Sequence, residues 1–186
     1  MMAEFAQQAE RLAEQHLASS LPRRWRHVQA VAAKAARIKA IARLGDRDIL
    51  VSAAWLHDIG YAPNIADTGF HALDGARWLV RQGVATRIAS LVAHHSCASY
   101  EAEERGLGKD LAAEFPLEIS ATSDALWFAD MTTGPDGQDL SVEERLEEIR
   151  RRYGPEDLVT RFWQNAQPVL LESVRRTQGR LASQPM

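Results

Sequence analysis

Cysteine is nearly absent: Cys97 alone occurs in 186 residues. That excludes an internal disulfide and a zinc site built from several thiolates, and it fits a reducing compartment. No segment approaches the ~20 consecutive apolar residues of a membrane-crossing helix. The longest apolar stretches are 51–56, interrupted by Ser52, and 125–129. Positive charge is not in excess either. Lys and Arg number 22 against 25 Asp and Glu, a formal charge of −3, which argues against dedicated nucleic-acid binding through bulk electrostatics. No GxxxxGK[ST] loop is present to grip a triphosphate, so ATP-driven chemistry is not indicated. The opening MMAEFAQQAERLAEQ carries acidic residues where a secretory leader would be basic, and the expectation is a cytoplasmic protein.

What remains is an ordinary globular composition, 46% hydrophobic and 25% charged, over a length that one domain can fill. Helical spacing dominates. Residues 3–17 read as a first helix. Pro22 opens a second, in which Val28, Val31, Ala35, Ile38 and Ala42 form one apolar stripe that Gly45 stops. A third starts at Asp46, a candidate cap, and ends at Gly60. Helices follow over about 70–81 and 85–95. The charged stretch 99–114 reads as a short helix plus a mobile loop, a candidate lid. Pro116 starts a buried helix ending near Asp130. Ser141 and Glu144 form a capping box for EERLEEIRRR, whose i,i+4 pairs suggest a solvated face. A last amphipathic helix follows Pro155, with a kink expected at Pro168. The fold class is all-α, a single-domain helical bundle spanning 1–186.

Polar residues interrupt the apolar faces at a few places. His27 lies four residues before Val31, at the end of its stripe. His57 follows Leu50, Ala53 and Ala54 at +7, +4 and +3, with Asp58 beside it. His95 extends the face of Ile88, Leu91 and Val92, with His94 adjacent. Asp130 closes ALWFAD. A buried carboxylate is costly unless paired or bound to a metal, and no Lys or Arg that could pair with these carboxylates is expected on their faces. One cation would answer the burial problem for all of them, and mixed imidazole and carboxylate donors suit Mn, Fe, Ni, Co or Zn better than Ca. Asp124 is a rival to Asp130, but the two lie about 120° apart around a helix. The alanine–aspartate context and the helix-end position favour Asp130. His16 reads as a surface residue and Cys97 as core filler.

The segments RWRHV, AWLHDIGY, FHALDGARWL, LVAHHS and FADMTTGPDG, over roughly 23–136, resemble the HD superfamily of metal-dependent phosphohydrolases. The resemblance implies a metal-binding core at about 23–136, with C-terminal helices of 141–181 packed on it. It implies four ligands, His27, His57, Asp58 and Asp130, to a divalent transition metal, Mn or Fe first and Ni, Co or Zn as possibilities. In superfamily members with two metals, further histidines bind the second ion. His71 and His94 with His95 occupy similar positions, with Asp58 as bridge. His95 fits the inward face better, while the resemblance admits both. The implied reaction is hydrolysis of a phosphate ester of a nucleotide or small phosphorylated metabolite by metal-activated water, with His57 and Asp58 as the catalytic pair. Arg24 and Arg26, beside Arg23, and Lys34, seven residues on from His27 on the same helical side, are candidate phosphate contacts. The alternatives are a di-iron oxygenase of the HD type and a non-catalytic nucleotide-binding module. No membrane partner is expected, and a homodimer is possible.

Overall fold

Residues 2–184 are described by the structure, a computed structural model. Helix α1 (Met2–Leu17) leads to α2 (Pro22–Ile38), and a 3₁₀ turn (Lys39–Ile41) follows. The regular helix thus ends before Ala42, earlier than the apolar stripe suggests. At the centre is α3 (Arg47–Leu56), which packs against α1 and α2. It buries Leu50, Val51, Ser52, Ala53, Ala54 and Leu56, apolar almost all the way round, as a helix enclosed by others must be. Asp46 does not cap it through its side chain. Its carboxylate instead accepts from Arg87 at 2.6 and 3.0 Å.

A turn at 57–61 leads on to α4 (His71–Arg81) and α5 (Thr86–Ala93), and α5 also packs on α3. The stretch expected to be partly a mobile loop is two helices, α6 (Ala98–Glu104) and α7 (Gly108–Glu114). Pro116 does not open a helix. The chain reaches α8 (Ala121–Met131) only at Ser120, whose side chain accepts from the backbone of Thr122 and Ser123 in a capping box with Ser123. Helix α9 (Val142–Tyr153) carries the expected Ser141–Glu144 box. Helix α10 (Leu158–Ala182) is a single element that continues through Pro168. Among the described residues there is no strand, only an isolated bridge between Thr133 and Asp139. The architecture is all-α, and no described helix is long and apolar enough to cross a membrane.

Two hydrophobic clusters meet along α8. The larger draws on α1–α8 through residues such as Leu17, Val31, Leu50, Phe70 and Leu126. The smaller joins Cys97 and Met131 to Leu146, Ile149, Phe162, Trp163 and Leu170 of the last two helices. Asp124 fastens α10 to α8. It accepts from Ser173 at 2.8 Å, from Arg176 at 2.9 and 2.6 Å, and from Arg180 at 2.7 Å. Burial would raise its pKa, but the hydrogen bonds from Arg176 and Arg180 prevail and lower it. The stability it contributes is therefore complete above the unfolded carboxyl value of about 4 and is lost as pH falls toward the lower folded value. Asp124→Ala should lose on the order of 2 kcal/mol in urea unfolding at neutral pH. That deficit should shrink when the same titration is run at acid pH.

Candidate metal centre

Five separate segments deliver imidazoles and carboxylates to one place, the start of α4 supplying His71. His27 sits on α2 on the stripe of Val28, Val31 and Ala35, and only 2% of its surface is exposed. His57 and Asp58 follow the last residue of α3, His95 follows α5 in a 3₁₀ turn (His95–Cys97), and Asp130 lies near the end of α8. The backbone orients the rings. Nδ1 of His57 lies 2.8 Å from the Ala54 carbonyl oxygen, and Nδ1 of His95 lies 2.6 Å from that of Val92. Nδ1 of His27 is 3.0 Å from the Gly134 carbonyl oxygen. Each Nδ1 donates to its carbonyl, which leaves Nε2 free to act as a ligand toward the interior.

These Nε2 atoms gather around two carboxylates. His27 Nε2 is 3.0 Å from Asp130 Oδ1, and His57 Nε2 is 3.8 Å from the same oxygen. Asp58 turns Oδ2 toward His57 at 3.4 Å and His27 at 3.8 Å. It turns Oδ1 toward His71 at 3.5 Å and His95 at 3.9 Å. His71 and His95 bring their Nε2 atoms within 3.2 Å of each other. Ligand atoms of His27, His57 and Asp130 lie within 4.8 Å of one another, as do those of Asp58, His71 and His95, and either group could hold a metal ion.

The donor set fits a cation. His57 is fully buried, yet its Nε2 has no hydrogen-bond partner. His27 faces an oxygen with both ring nitrogens, although a neutral ring carries one proton for the two. A cation beside Nε2 resolves both conflicts. Charge points the same way. Burial would raise the Asp58 pKa, but Arg24 and His57 hold it well below the carboxylate range. Burial likewise opposes ionisation of Asp130, and the hydrogen bond with His27 and the charge of His57 outweigh it. Burial disfavours a charged His57, yet Asp58 raises its pKa to about 9. Burial first, and a neighbouring imidazole second, lower the pKa values of His71 and His95 and keep both in the neutral, ligating form.

Arg24 donates to Asp58 Oδ2 at 2.7 Å, and its guanidinium lies 3.8 Å over the ring of Tyr61. Tyr61 in turn stacks on His71, with ring centroids 4.0 Å apart. A cavity of about 170 Å³ opens over these groups, lined by Arg24, Asp58, His71, His95 and Asp130 and walled by α6, α9 and α10.

Several expected site residues lie elsewhere. His94 joins neither group: its Nε2 faces the Phe115 carbonyl oxygen at 2.9 Å, because the ring leaves the backbone on the other side from His95. Arg26 is directed outward and pairs with Asp136 at 3.1 Å. Lys34 is held by Thr132 and by Asp139 at 2.9 Å, away from the cavity, and so serves the 132–140 turn. His16 is not a free surface residue, since it packs edge-on against Trp78 and pairs with Asn64. Helix α9 is not a purely solvated face either: Arg145 and Arg152 line the cavity. Reading i,i+4 charge pairs as solvated missed that Arg145 follows Val142 and precedes Leu146 and Ile149 on the buried side.

Ser96 had no signal in the sequence beyond its place after the two histidines. Its hydroxyl donates to Asp130 Oδ2 at 2.5 Å. Ser96 and Cys97 adopt φ values of 47° and 61°, left-handed conformations that cost about 1 kcal/mol or more each outside glycine. Cys97 is thus buried filler in a strained turn that sets His95 and Ser96 on opposite carboxylates.

A family model described as HD domain matches residues 24–146, most of the chain and as far as α9. The chain belongs to the HD domain family. No curated protein and no solved structure matches it.

Gly60 of the LHDIG segment does more than end a helix. A Cβ there would lie 2.0 Å from the His71 carbonyl oxygen and 2.7 Å from the Gly75 nitrogen, so the start of α4 rests directly on the 57–61 turn. This contact sets His71 against Asp58. Gly60→Ala should therefore destabilise the fold by about 1–3 kcal/mol through overpacking. Gly45→Ala, with nothing within 4 Å of the added carbon, should stay within about 0.5 kcal/mol of the parent in the same urea titration.

Proposed function

We propose that this HD-domain chain is a metal-dependent phosphohydrolase acting on a phosphate ester of a nucleotide or another small phosphorylated metabolite. The observation that supports it most is the divided carboxylate of Asp58, with one oxygen toward His27 and His57 and the other toward His71 and His95. In this reading His27, His57, Asp58 and Asp130 hold one divalent transition metal ion, Mn or Fe first, and Asp58, His71 and His95 hold a second. A cation so placed supplies Lewis acidity, making water nucleophilic near neutral pH and offsetting charge on phosphoryl oxygens.

The chain's own groups do the rest. Asp58 orients the attacking water, and His57 holds Asp58 in place from the end of α3. Water adds to phosphorus, the ester P–O bond breaks, and the proton given up by the attacking water passes through water in the cavity to the leaving oxygen. Arg24 reaches the non-bridging oxygens with charge-assisted hydrogen bonds, steadied by the Tyr61 ring beneath it. Ser96 keeps Asp130 turned toward the histidines.

Protein purified without chelator should carry two transition-metal ions per chain by elemental analysis. His57→Ala should lose stoichiometric metal while its far-ultraviolet circular dichroism stays helical. The Mn²⁺-loaded protein should release inorganic phosphate from at least one member of a panel of nucleotides and sugar phosphates, equally in air and under nitrogen. Turnover only in air would replace this reading with oxygen-dependent cleavage by an HD-type di-iron site. Nucleotide binding with no turnover at all would replace it with a binding module.

A further inference from the structure

Beside the metal-ligating cavity lies a second one of about 310 Å³, lined by Arg23, Arg24, His27, Pro135, Arg145 and Arg152 together with residues 20–22. The two cavities share Arg24, His27, Arg145 and Arg152. No carboxylate lines the second cavity among the described residues. Guanidinium groups stay charged at any pH the fold tolerates, and too few acids answer these. Asp136 is divided between Arg23 at 2.9 Å and Arg26 at 3.1 Å. Glu148 is divided between Arg145 and, at 3.4 Å, Arg152. Of the four arginines that line the cavity, Arg24 pairs with Asp58, Arg23 shares Asp136 with the outward-facing Arg26, and Arg145 and Arg152 share Glu148.

Arg145 is the unusual member. It is 5% exposed, and its Nε finds no acceptor among the described residues. A buried donor on a charged group is rarely left without a partner. An anion in the annex would supply one, and it would balance the excess of positive charge.

We propose that Arg145 and Arg152 of α9, with Arg23 of α2, form a second anion subsite next to the metal centre. The preferred substrate is then a phosphate ester that carries a further phosphoryl group. This rests on the phosphohydrolase reading for the group at the metal, but the subsite itself is built from arginines alone. Arg24, which touches Asp58 and lines both cavities, is the divider: the reacting phosphoryl group lies on its metal side and the second on its α9 side.

Isothermal titration of the Mn²⁺-loaded protein with methylenediphosphonate and with methylphosphonate tests it. The bisphosphonate should bind at least about tenfold more tightly than the monophosphonate, as expected for one added charge-assisted contact. Arg152→Gln should reduce that preference to about threefold or less. Arg145→Lys, which keeps the charge but not the fork, provides a second variant should one fail to fold, with thermal unfolding as the check. Equal affinity for the two probes in the parent protein overturns the proposal. So does a preference that survives both variants, which chelation by the metal would explain. Repeating the titration on chelator-treated protein separates the two readings. Arginine-dependent preference without metal sustains the subsite even if the hydrolase reading fails, and hydrolysis of simple monoesters with no preference sustains the hydrolase while removing the subsite.

Discussion

A carboxylate removed from water needs positive charge close by, and Asp58 is 3% exposed with imidazoles on both sides of it. Among the described residues, the only permanent charge that reaches it is Arg24. Much of the architecture follows from this demand. The α3 helix ends where it does so that His57 and Asp58 can diverge toward one centre. The backbone carbonyls of Ala54, Val92 and Gly134 occupy the outer nitrogens of three rings, so the inner nitrogens have nothing but carboxylates and one another to face. Such a centre is poor for stability on its own terms. Its retention in the middle of a tightly packed bundle is intelligible as preparation for a cation.

Strain and close approach are spent around the same residues. The left-handed Ser96 and Cys97 make a tighter exit from α5 than a helix could, and they turn the Ser96 hydroxyl onto Asp130 while His95 faces Asp58. The missing side chain of Gly60 lets α4 rest on the turn after α3. Asp74 closes the loop before α4 by accepting from the backbone of Asp67 and Thr68. These devices place His71, at the start of α4, and His95, just past the end of α5, within reach of one carboxylate oxygen.

The helical class and most element positions were legible because the apolar spacing was regular and its interruptions were chemically specific. His27, His57 and Asp130 could be placed on inward faces from their distance to neighbouring Val, Ala and Leu residues. The errors share a cause. Spacing gives the side of a helix on which a residue lies, but not what the rest of the chain brings to that side. Lys34 shares a face with His27, yet the 132–140 turn reaches it first and takes up its charge. His94 and His95 are adjacent, and only the sharp turn after α5 decides which ring reaches the centre. Arg145 belongs to a helix whose i,i+4 pairs, Glu147 with Arg151 and Glu148 with Arg152, suggested a solvated face, whereas α10 covers the Leu146 and Ile149 side of α9.

Helix α8 shows how the two kinds of buried acid differ. Asp124 and Asp130 are both buried on one helix, six positions apart. Asp124 is surrounded by guanidiniums from α10, whose charge does not depend on pH or on any bound species, so its balance is complete within the chain. Asp130 is surrounded by His27, His57 and Ser96, groups whose neutral forms offer lone pairs and hydroxyls but no fixed charge. The first arrangement is a fastener that works without a ligand. The second is balanced only by a proton or a metal ion, which is why one carboxylate marks a joint between helices and the other marks the centre of the site. The same contrast distinguishes the arginine annex beyond Arg24, where the fixed charges are positive and the missing partner is an anion.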